Sequence, residues 1–344
     1  MLHAVGQSLI LFLKGANVMD CRSRFHIQLI FAFVFSSLLP GFVGNVSADA
    51  PMAKIQAPGF YRLMLGQFEI TALNDGFADL DVKLMHNAPE TEIQDLLAQK
   101  FTGISTVSTS VNAYLLNTGS KLILIDTGMG VTMGPKFGHL TKNLGAAGYR
   151  PDQIDYVLLS HMHRDHIGGL LDAAGKPVFP NAVIMVSEAE SQYWLSAAEA
   201  EKASPDKQKS FKLASDVAAA YTAQGKWKTF AGGELFPGIK ASVMPGHTPG
   251  HTIFEVSSDG QTLVVLGDTV HFMAVQFTRP DVFVDFDADS AKAVAVRQDL
   301  FKRLAESKEM AAGMHLPFPG IGRVLARESG GYTWVPVEFS QTQR

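Results

Sequence analysis

Apolar and polar residues alternate in short runs along most of the chain, with a period of two in some segments and a helical period in others. Period-two or fully apolar runs, bounded by turn-forming residues, predict strands at 68–76, 108–119, 121–128, 154–160, 182–187, 239–245 and 261–269. Helical spacing of apolar residues predicts helices at 89–101, 137–149, two segments within 187–225, and 289–306. Strands that alternate with helices in this way predict an α/β fold in one compact domain.

The first fifty residues follow a different pattern. Arg22 and Arg24 precede the apolar run at 27–44, and the small residues Ala48 and Ala50 follow it. This order predicts a signal peptide over 1–50, with Met19 as an alternative start, and a mature domain over 51–344. A membrane anchor is the alternative, but the run is short for a bilayer span. The mature protein is therefore expected to be periplasmic or secreted, with no stable membrane anchor after cleavage.

Composition narrows the classes of function. The chain has 344 residues, of which 47% are hydrophobic, enough for a sizeable buried core. A formal net charge of -4 and the lack of a basic run exclude nucleic acid as a partner. The single cysteine, Cys21, lies in the predicted signal peptide, so the mature chain has no disulfide and no thiolate ligand.

A dense group of metal-ligand residue types follows the predicted strand at 154–160. His161 and His163 lie two residues apart, so in extended backbone both side chains reach the same ion. The chain then turns, and Asp165 and His166 face a second ion. Imidazole and carboxylate groups together suit Zn²⁺ and other divalent metals. The alternative is a solvated polar loop with histidines present by chance.

Further candidate ligands follow other predicted strands. His247 follows the strand at 239–245, Asp268 ends the strand pattern at 261–269, and His315 follows a late apolar piece. Polar residues at strand ends commonly build sites on open α/β sheets. For Asp268 a turn-forming role is the alternative. His251 lies four residues after His247, so only one of the two need bind metal.

Taken in order, the motifs HMHRDHIGG, PGHTPGH, LGDT and HLPFPG resemble the metallo-β-lactamase superfamily. Other segments, including GFYRLMLGQFEITALNDG and NTGSKLILIDTG, resemble methyl parathion hydrolase and related secreted organophosphate hydrolases. The resemblance implies a four-layer αβ/βα sandwich holding two divalent ions, Zn²⁺ first and Mn, Co or Fe as substitutes. It assigns His161, His163 and His247 to one ion, Asp165, His166 and His315 to the other, and Asp268 as the bridge. It also allows a homodimer.

The implied reaction is hydrolysis of ester-type bonds by a hydroxide that bridges the two ions, with Asp165 or Asp268 carrying the proton away. Phosphotriesters of the methyl parathion type, aryl esters or lactones are the expected small-molecule substrates. The alternative is an acyl-homoserine lactone or other lactone hydrolase. A β-lactamase and a non-catalytic metal-binding protein are further alternatives.

Residues around the ions are expected to select the substrate. The resemblance places Trp194 and Phe211 in an aromatic leaving-group pocket, with ordinary helix packing as the alternative. Met133 and His271 stand where the parathion-degrading relatives carry an aromatic and an aliphatic pocket residue, so the pocket shape is expected to differ. Asp126 is implied to orient a metal ligand, and a plain turn residue is its alternative.

Overall fold

The strands form two large sheets. The computed structural model describes residues 50–340, and the predicted signal peptide therefore lies outside the described residues, apart from Ala50. Within this range the residues from Gln56 onward form one compact unit, and residues 50–55 are exposed and without regular structure. Within residues 50–340, no helix is both long enough and apolar enough to cross a membrane.

The described part of the chain contains sixteen strands and eight α-helices, joined by loops and short 3-10 turns. The strands are β1 Phe60–Leu65, β2 Phe68–Asp81, β3 Met85–His86, β4 Thr106–Asn117, β5 Leu122–Ile125, β6 Tyr156–Leu158, β7 Val183–Ser187, β8 Trp227–Phe230, β9 Gly233–Phe236, β10 Ile239–Val243, β11 Thr252–Ser258, β12 Gln261–Val265, β13 Phe283–Val284, β14 Met310–Ala312, β15 Ile321–Ala326 and β16 Tyr332–Pro336. The helices are α1 Glu90–Ala98, α2 Leu140–Ala146, α3 Arg164–Ile167, α4 Glu188–Trp194, α5 Ala197–Lys202, α6 Pro205–Thr222, α7 Met273–Gln276 and α8 Ser290–Ser307.

The first large sheet has the order β1-β2-β4-β5-β6-β7-β8, and the second has the order β16-β15-β14-β12-β11-β10-β9. In the first sheet, β1 to β5 pair antiparallel and β5 to β8 pair parallel. In the second, all neighbours are antiparallel except β12 and β14. Strands β3 and β13 form a small separate pair.

Alternate residues of the central strands enter different cores. On β4, Tyr114 and Leu116 pack into the core between the sheets, whereas Ala113 and Leu115 face a core that includes residues of α2 and α6. On the second sheet, α8 covers the outer face through a third core. The period of two along each strand thus produces helix, sheet, sheet and helix layers. The predicted αβ/βα four-layer sandwich is confirmed.

The ends of several predicted strands belong to loops instead. The strand predicted at 121–128 ends at Ile125, and the strand predicted at 154–160 contains only Tyr156–Leu158. Residues 126–128 and 159–160 remain buried because they turn beneath the clustered histidines.

Candidate metal centre

The candidate ligands lie on loops that follow strands of both sheets. His161 and His163 follow β6, and Asp165 and His166 lie in the short helix α3. Strands β10, β12 and β14 run in one direction, so the loops after them meet at one edge of the second sheet. These loops carry, in order, His247, Asp268 and His315. The fold therefore brings together residues that are up to 154 positions apart (315 − 161).

Three imidazole nitrogens converge in the first cluster. His163 Nδ1 lies 3.0 Å from His161 Nε2 and 3.0 Å from His247 Nε2. The Oδ2 atom of Asp268 lies 3.6 Å from His161 Nε2 and 3.3 Å from His247 Nε2. The four residues offer ligand atoms that all lie within 4.8 Å of one another. Three nitrogens and one carboxylate oxygen at this spacing suit a tetrahedral divalent ion.

The second cluster shares Asp268 with the first. His166 Nε2 lies 3.1 Å from Asp268 Oδ1, and His315 Nε2 lies 3.1 Å from Asp268 Oδ2. Asp165 Oδ2 completes the group, 3.3 Å from His315 Nε2. Because Asp268 presents oxygens to both clusters, its carboxylate can bridge two ions. All seven predicted ligands are thus brought together in two groups that have one member in common.

In three of the five ligand histidines, the ring nitrogen that points away from the cluster lies next to a hydrogen-bond acceptor. The Nδ1 atoms of His166, His247 and His315 lie within hydrogen-bond distance of acceptor-only oxygens, namely Asp126 Oδ2 at 2.7 Å, Asp287 Oδ1 at 3.0 Å and Ser110 O at 2.9 Å. An oxygen that only accepts requires a proton on Nδ1, so when the ring is neutral its lone pair is on Nε2. The Nε2 atoms are the ones that face the cluster, as a metal ligand requires.

Two unsatisfied atoms support the same conclusion. His166 Nε2 and Asp268 Oδ1 are buried and have no hydrogen-bond partner, although they lie 3.1 Å apart. The contact has ion-pair distance without hydrogen-bond geometry. Buried polar atoms are rarely left unpaired, because desolvation then costs about 1–3 kcal/mol each. A divalent cation between them would satisfy both atoms, so the residues fit the metal ions that they are expected to hold.

Burial and mutual charge set the protonation of the cluster. Burial lowers the pKa of His161 and of His163 well below the usual value for histidine, so both rings are neutral. Burial also acts against protonation of His247, but Asp268 and Asp287 outweigh it and raise its pKa to about 9. For His315 the nearby Asp268 and Asp165 outweigh burial and raise the pKa to about 10. Asp268, Asp165 and Asp126 likewise outweigh burial and raise the pKa of His166 well above its usual value. Without metal, protons on His166, His247 and His315 therefore balance the buried carboxylates.

Asp126 stands in an uncommon backbone conformation directly below the cluster. Its φ is 59°, in the left-handed region that few residues other than glycine adopt. Its Oδ1 accepts the backbone N–H of Ser160 at 2.8 Å, and its Oδ2 lies 2.6 Å from Ser160 Oγ. Ser160 Oγ in turn lies 3.0 Å from His161 Nδ1. Asp126 therefore orients His166 directly and His161 through Ser160, a residue that no sequence pattern marked as part of the site.

His251 has a role different from metal ligation. Its Nε2 accepts the backbone N–H of Asp268 at 2.9 Å, and burial lowers its pKa to about 3. The ring is neutral and holds the loop that carries the shared carboxylate. Gly267 is required here, since its φ is 54° and a Cβ atom would lie 2.4 Å from His251 Nε2. Of the two histidines in PGHTPGH, His247 is the one in the cluster.

The clusters form the floor of a cavity of about 610 Å³. Trp194, Met133 and His271 line this cavity, as do Met129 and Leu80. Phe211 does not line it, but packs behind Trp194 with ring centroids 4.7 Å apart and faces a neighbouring cavity of about 490 Å³. Of the two predicted aromatic residues, Trp194 thus lies in the wall of the cavity above the metal centre, and Phe211 lies behind Trp194, outside this cavity.

His271 was predicted only as a residue of the pocket wall, but it also contacts two of the candidate ligands. Its Nε2 is 3.1 Å from Asp268 Oδ2, and its ring stacks on His315 at a centroid distance of 4.9 Å. The spacing Asp268-x-x-His271 was the only signal for this contact. Asp287 lay outside the predicted site altogether, because nothing in its surrounding sequence marks it as a partner of His247.

Comparison with known proteins agrees with this geometry. The family model described as the metallo-beta-lactamase superfamily matches residues 108–306. The solved structure of hydrolase AbOPH of the beta lactamase superfamily is 36% identical, with a TM-score of 0.80, and the match covers 83% of this chain and 100% of AbOPH. The structure of AidC, a dizinc quorum-quenching lactonase, is 32% identical with a TM-score of 0.76, over 82% of this chain and 99% of AidC.

A curated relative of the same kind is the N-acyl homoserine lactonase AiiA of Bacillus thuringiensis subsp. kurstaki. It is 27% identical over 197 residues, which are 52% of this chain and 70% of AiiA. AidC and AiiA are named as lactonases and AbOPH only as a hydrolase, and the similarity to methyl parathion hydrolase stays a prediction. The matched family model, the four-layer fold and the two ligand clusters lead to one conclusion: this chain belongs to the metallo-β-lactamase superfamily and is a metal-dependent hydrolase.

Proposed function

We propose that the protein is a lactonase that binds two Zn²⁺ ions and opens N-acyl homoserine lactones. The observation that carries this proposal is the pair of ligand clusters sharing Asp268 at the floor of a cavity of about 610 Å³. A relative with the same fold and 32% identity is a dizinc lactonase whose structure holds the product N-hexanoyl-L-homoserine. This was the alternative to the phosphotriester and aryl-ester reading, and it has the better support.

The chemistry needs little beyond the clusters themselves. When bound, two divalent cations supply hydroxide at neutral pH and polarise the scissile carbonyl group. The carboxylates of Asp165 and Asp268 lie at the cavity floor, where they can receive the proton of the attacking water. The surrounding residues then need only orient the ester and exclude bulk water.

The cavity walls suit an amphipathic substrate. Leu80, Met129, Met133 and Phe286 supply apolar surface, and His271 adds a polar group near Asp268. A volume of about 610 Å³ is within the range that encloses drug-sized ligands. An acyl chain can pack against the apolar wall while the lactone ring lies over the clusters.

The aryl phosphotriester alternative has weaker structural support. The predicted aromatic leaving-group pocket is present only in part, because of Trp194 and Phe211 only Trp194 lines the cavity. His271 puts a polar ring where the parathion-degrading relatives were expected to have an aliphatic side chain. The pocket therefore favours a carbonyl substrate with polar groups near the reacting bond.

A substrate panel tests the proposal. Purified zinc-loaded protein is assayed with N-hexanoyl homoserine lactone, an unsubstituted γ-lactone, an aryl acetate, methyl parathion and a β-lactam. We expect the highest kcat/KM for the acyl homoserine lactone, and an Asp268→Ala preparation controls for contaminating hydrolases. Highest turnover of methyl parathion, with no opening of either lactone, would overturn the lactonase proposal while leaving the hydrolase family intact.

A further inference from the structure

Glu190 is a fully buried carboxylate outside the ligand clusters. It lies in the first turn of α4, and its residue exposure is 0%. Its Oε1 accepts from the backbone N–H of Met162 at 2.9 Å and from Trp194 Nε1 at 2.6 Å. Its Oε2 accepts from Thr248 Oγ1 at 2.7 Å and from the backbone N–H of Gly250 at 2.9 Å. Four donors around two oxygens favour the ionised carboxylate, whereas burial acts against it and raises the pKa of Glu190.

The four donors belong to three functional segments. Met162 lies between His161 and His163, the two ligands that the β6 loop gives to the first cluster. Thr248 and Gly250 follow His247, the third imidazole of that cluster. Trp194 lines the substrate cavity. One carboxylate thus joins both loops of the first cluster to the cavity wall, and it touches no residue of the second cluster by hydrogen bond.

The contact between α4 and the His247 loop is very close. The capping residue Ser187 donates its hydroxyl to Gly250 O at 2.7 Å. A Cβ atom at Gly250 would lie 2.2 Å from Glu190 N and 2.4 Å from Ser187 Oγ, so only glycine allows the approach. The start of α4 is therefore fixed to the loop on two sides, and the Glu190 side chain has little freedom to choose other partners.

We propose that Glu190 is a positioning residue that holds His163 and His247 in register for the first metal ion and couples this ion to the substrate wall at Trp194. The proposal rests on the two-metal centre but not on the choice of lactones as substrates. A merely structural buried carboxylate would affect the stability of the whole fold without distinguishing one ion from the other.

The substitution Glu190→Gln separates these roles. The amide keeps one accepting oxygen but turns the other acceptor into a donor, which faces donor groups on either side. The amide can present its NH₂ group either to Met162 and Trp194 or to Thr248 and Gly250. The second orientation costs less free energy, because the Thr248 hydroxyl can accept a hydrogen bond as well as donate one. The His247 loop should then shift, whereas Asp165, His166 and His315 keep their positions.

The test is a stepwise chelator titration of zinc-loaded protein, with metal counted by elemental analysis. We expect Glu190→Gln to lose one of its two ions at chelator concentrations on the order of 10- to 100-fold lower than the parent, with the second ion unchanged. Nuclear magnetic resonance of ¹⁵N-labelled histidines should show that the lost ion belongs to His161, His163 and His247. Thr248→Val, which removes one donor with little change of shape, should loosen the same ion to a smaller extent.

Asp75→Asn is the matched control. Asp75 is also fully buried and accepts backbone N–H groups from Met129, Gly138 and Leu140, but it contacts neither ligand cluster by hydrogen bond. It should lower thermal stability and leave both ions in place. Equal loosening of both ions in Glu190→Gln, or parent affinity for both, would overturn the proposal. If Glu190→Gln does not fold, parent affinity in Thr248→Val would overturn it as well.

Trp194→Phe tests the coupling to the wall. It removes the indole N–H but keeps an aromatic ring, so it should raise KM and leave kcat within about twofold. In the double variant with Glu190→Gln, the effects on KM should be less than additive, because the Trp194 indole donates its hydrogen bond to the same side chain that Glu190→Gln alters. Fully additive effects would show that the wall and the first cluster are not coupled through Glu190.

Discussion

At the scale of single residues, the centre depends on the partner behind each ligand. Asp126, Asp287 and the carbonyl of Ser110 each accept a hydrogen bond from the Nδ1–H of one ring and so direct its Nε2 into the cluster. The rings are oriented before any ion arrives, which reduces the entropy lost when metal binds.

Removal of the shared carboxylate should affect both ions. Asp268→Ala deletes the only oxygens common to the two clusters, so hydrolysis should fall by orders of magnitude and at least one ion should bind more weakly. Elemental analysis and kcat/KM for the best substrate measure the two effects. Asp259→Ala is the control, because Asp259 is exposed in the turn between β11 and β12, at the opposite end of β12 from Asp268. Parent activity with two ions in Asp268→Ala would contradict the bridging role.

Metal binding should depend steeply on pH. In the metal-free protein the pKa of His247 is raised to about 9 and that of His315 to about 10, so both rings are protonated at neutral pH. An ion must displace these protons, so its affinity should rise by about tenfold per pH unit for each proton released. Calorimetry in buffers of different ionisation enthalpy counts the protons.

The sign of this effect can be checked with one variant. Asp287→Asn removes the carboxylate that helps to raise the pKa of His247, so fewer protons should be released near pH 8. The metal affinity of this variant should therefore change less with pH than that of the parent. A metal affinity that does not change between pH 6 and 8 in the parent protein would show that the rings are already neutral.

At the scale of elements, the sequence predicted what depends on local pattern. The ligands in HMHRDH were identifiable because six consecutive residues, 161–166, carry four of the seven ligands. Asp287, Ser160 and Glu190 were not, because each acts through a contact that joins distant parts of the chain. Strand β11 was also missed, since its short apolar run around Phe254 cannot be told from a buried helical segment by period alone.

Helix α4 separates two cavities through Trp194. The indole lines the cavity of about 610 Å³ above the clusters and also the neighbouring cavity of about 490 Å³. Trp194→Ala should join them, so kcat/KM for N-dodecanoyl relative to N-hexanoyl homoserine lactone should rise. The loss of packing should cost about 3–5 kcal/mol of stability.

Leu195→Ala provides the matched comparison for this element. Leu195 lines only the outer of the two cavities and is 40% exposed, so its truncation should leave the chain-length preference unchanged. An unchanged preference in Trp194→Ala as well would show that the indole only packs the helices and does not limit the substrate pocket.

At the scale of the whole molecule, the metal centre joins the two sheets. The loop after β6 belongs to the first sheet, and the loops with His247, Asp268 and His315 belong to the second. The apolar core between the sheets holds them together without metal, and the periodic strand pattern made this layering predictable. The sequence could not predict which loops meet, because that depends on strand order, and strand order is set by pairing across the whole sheet.

Metal removal should therefore lower the stability of the whole fold and not only the activity. An ion that binds the folded state but not the unfolded state adds about 2.7 kcal/mol to the free energy of unfolding when free metal is at 100 times its Kd. Two such ions add roughly 5 kcal/mol. For a chain of this size we expect chelation to lower Tm by roughly 10 °C or more, and added Zn²⁺ to restore it. Calorimetry of parent and Asp268→Ala protein, with and without chelator, measures the shift. The variant should show a smaller gap between its two forms, because it binds metal more weakly. Equal Tm values for the loaded and metal-free parent would mean that the two sheets do not depend on the ions, and that the clusters bind metal without linking the halves of the fold.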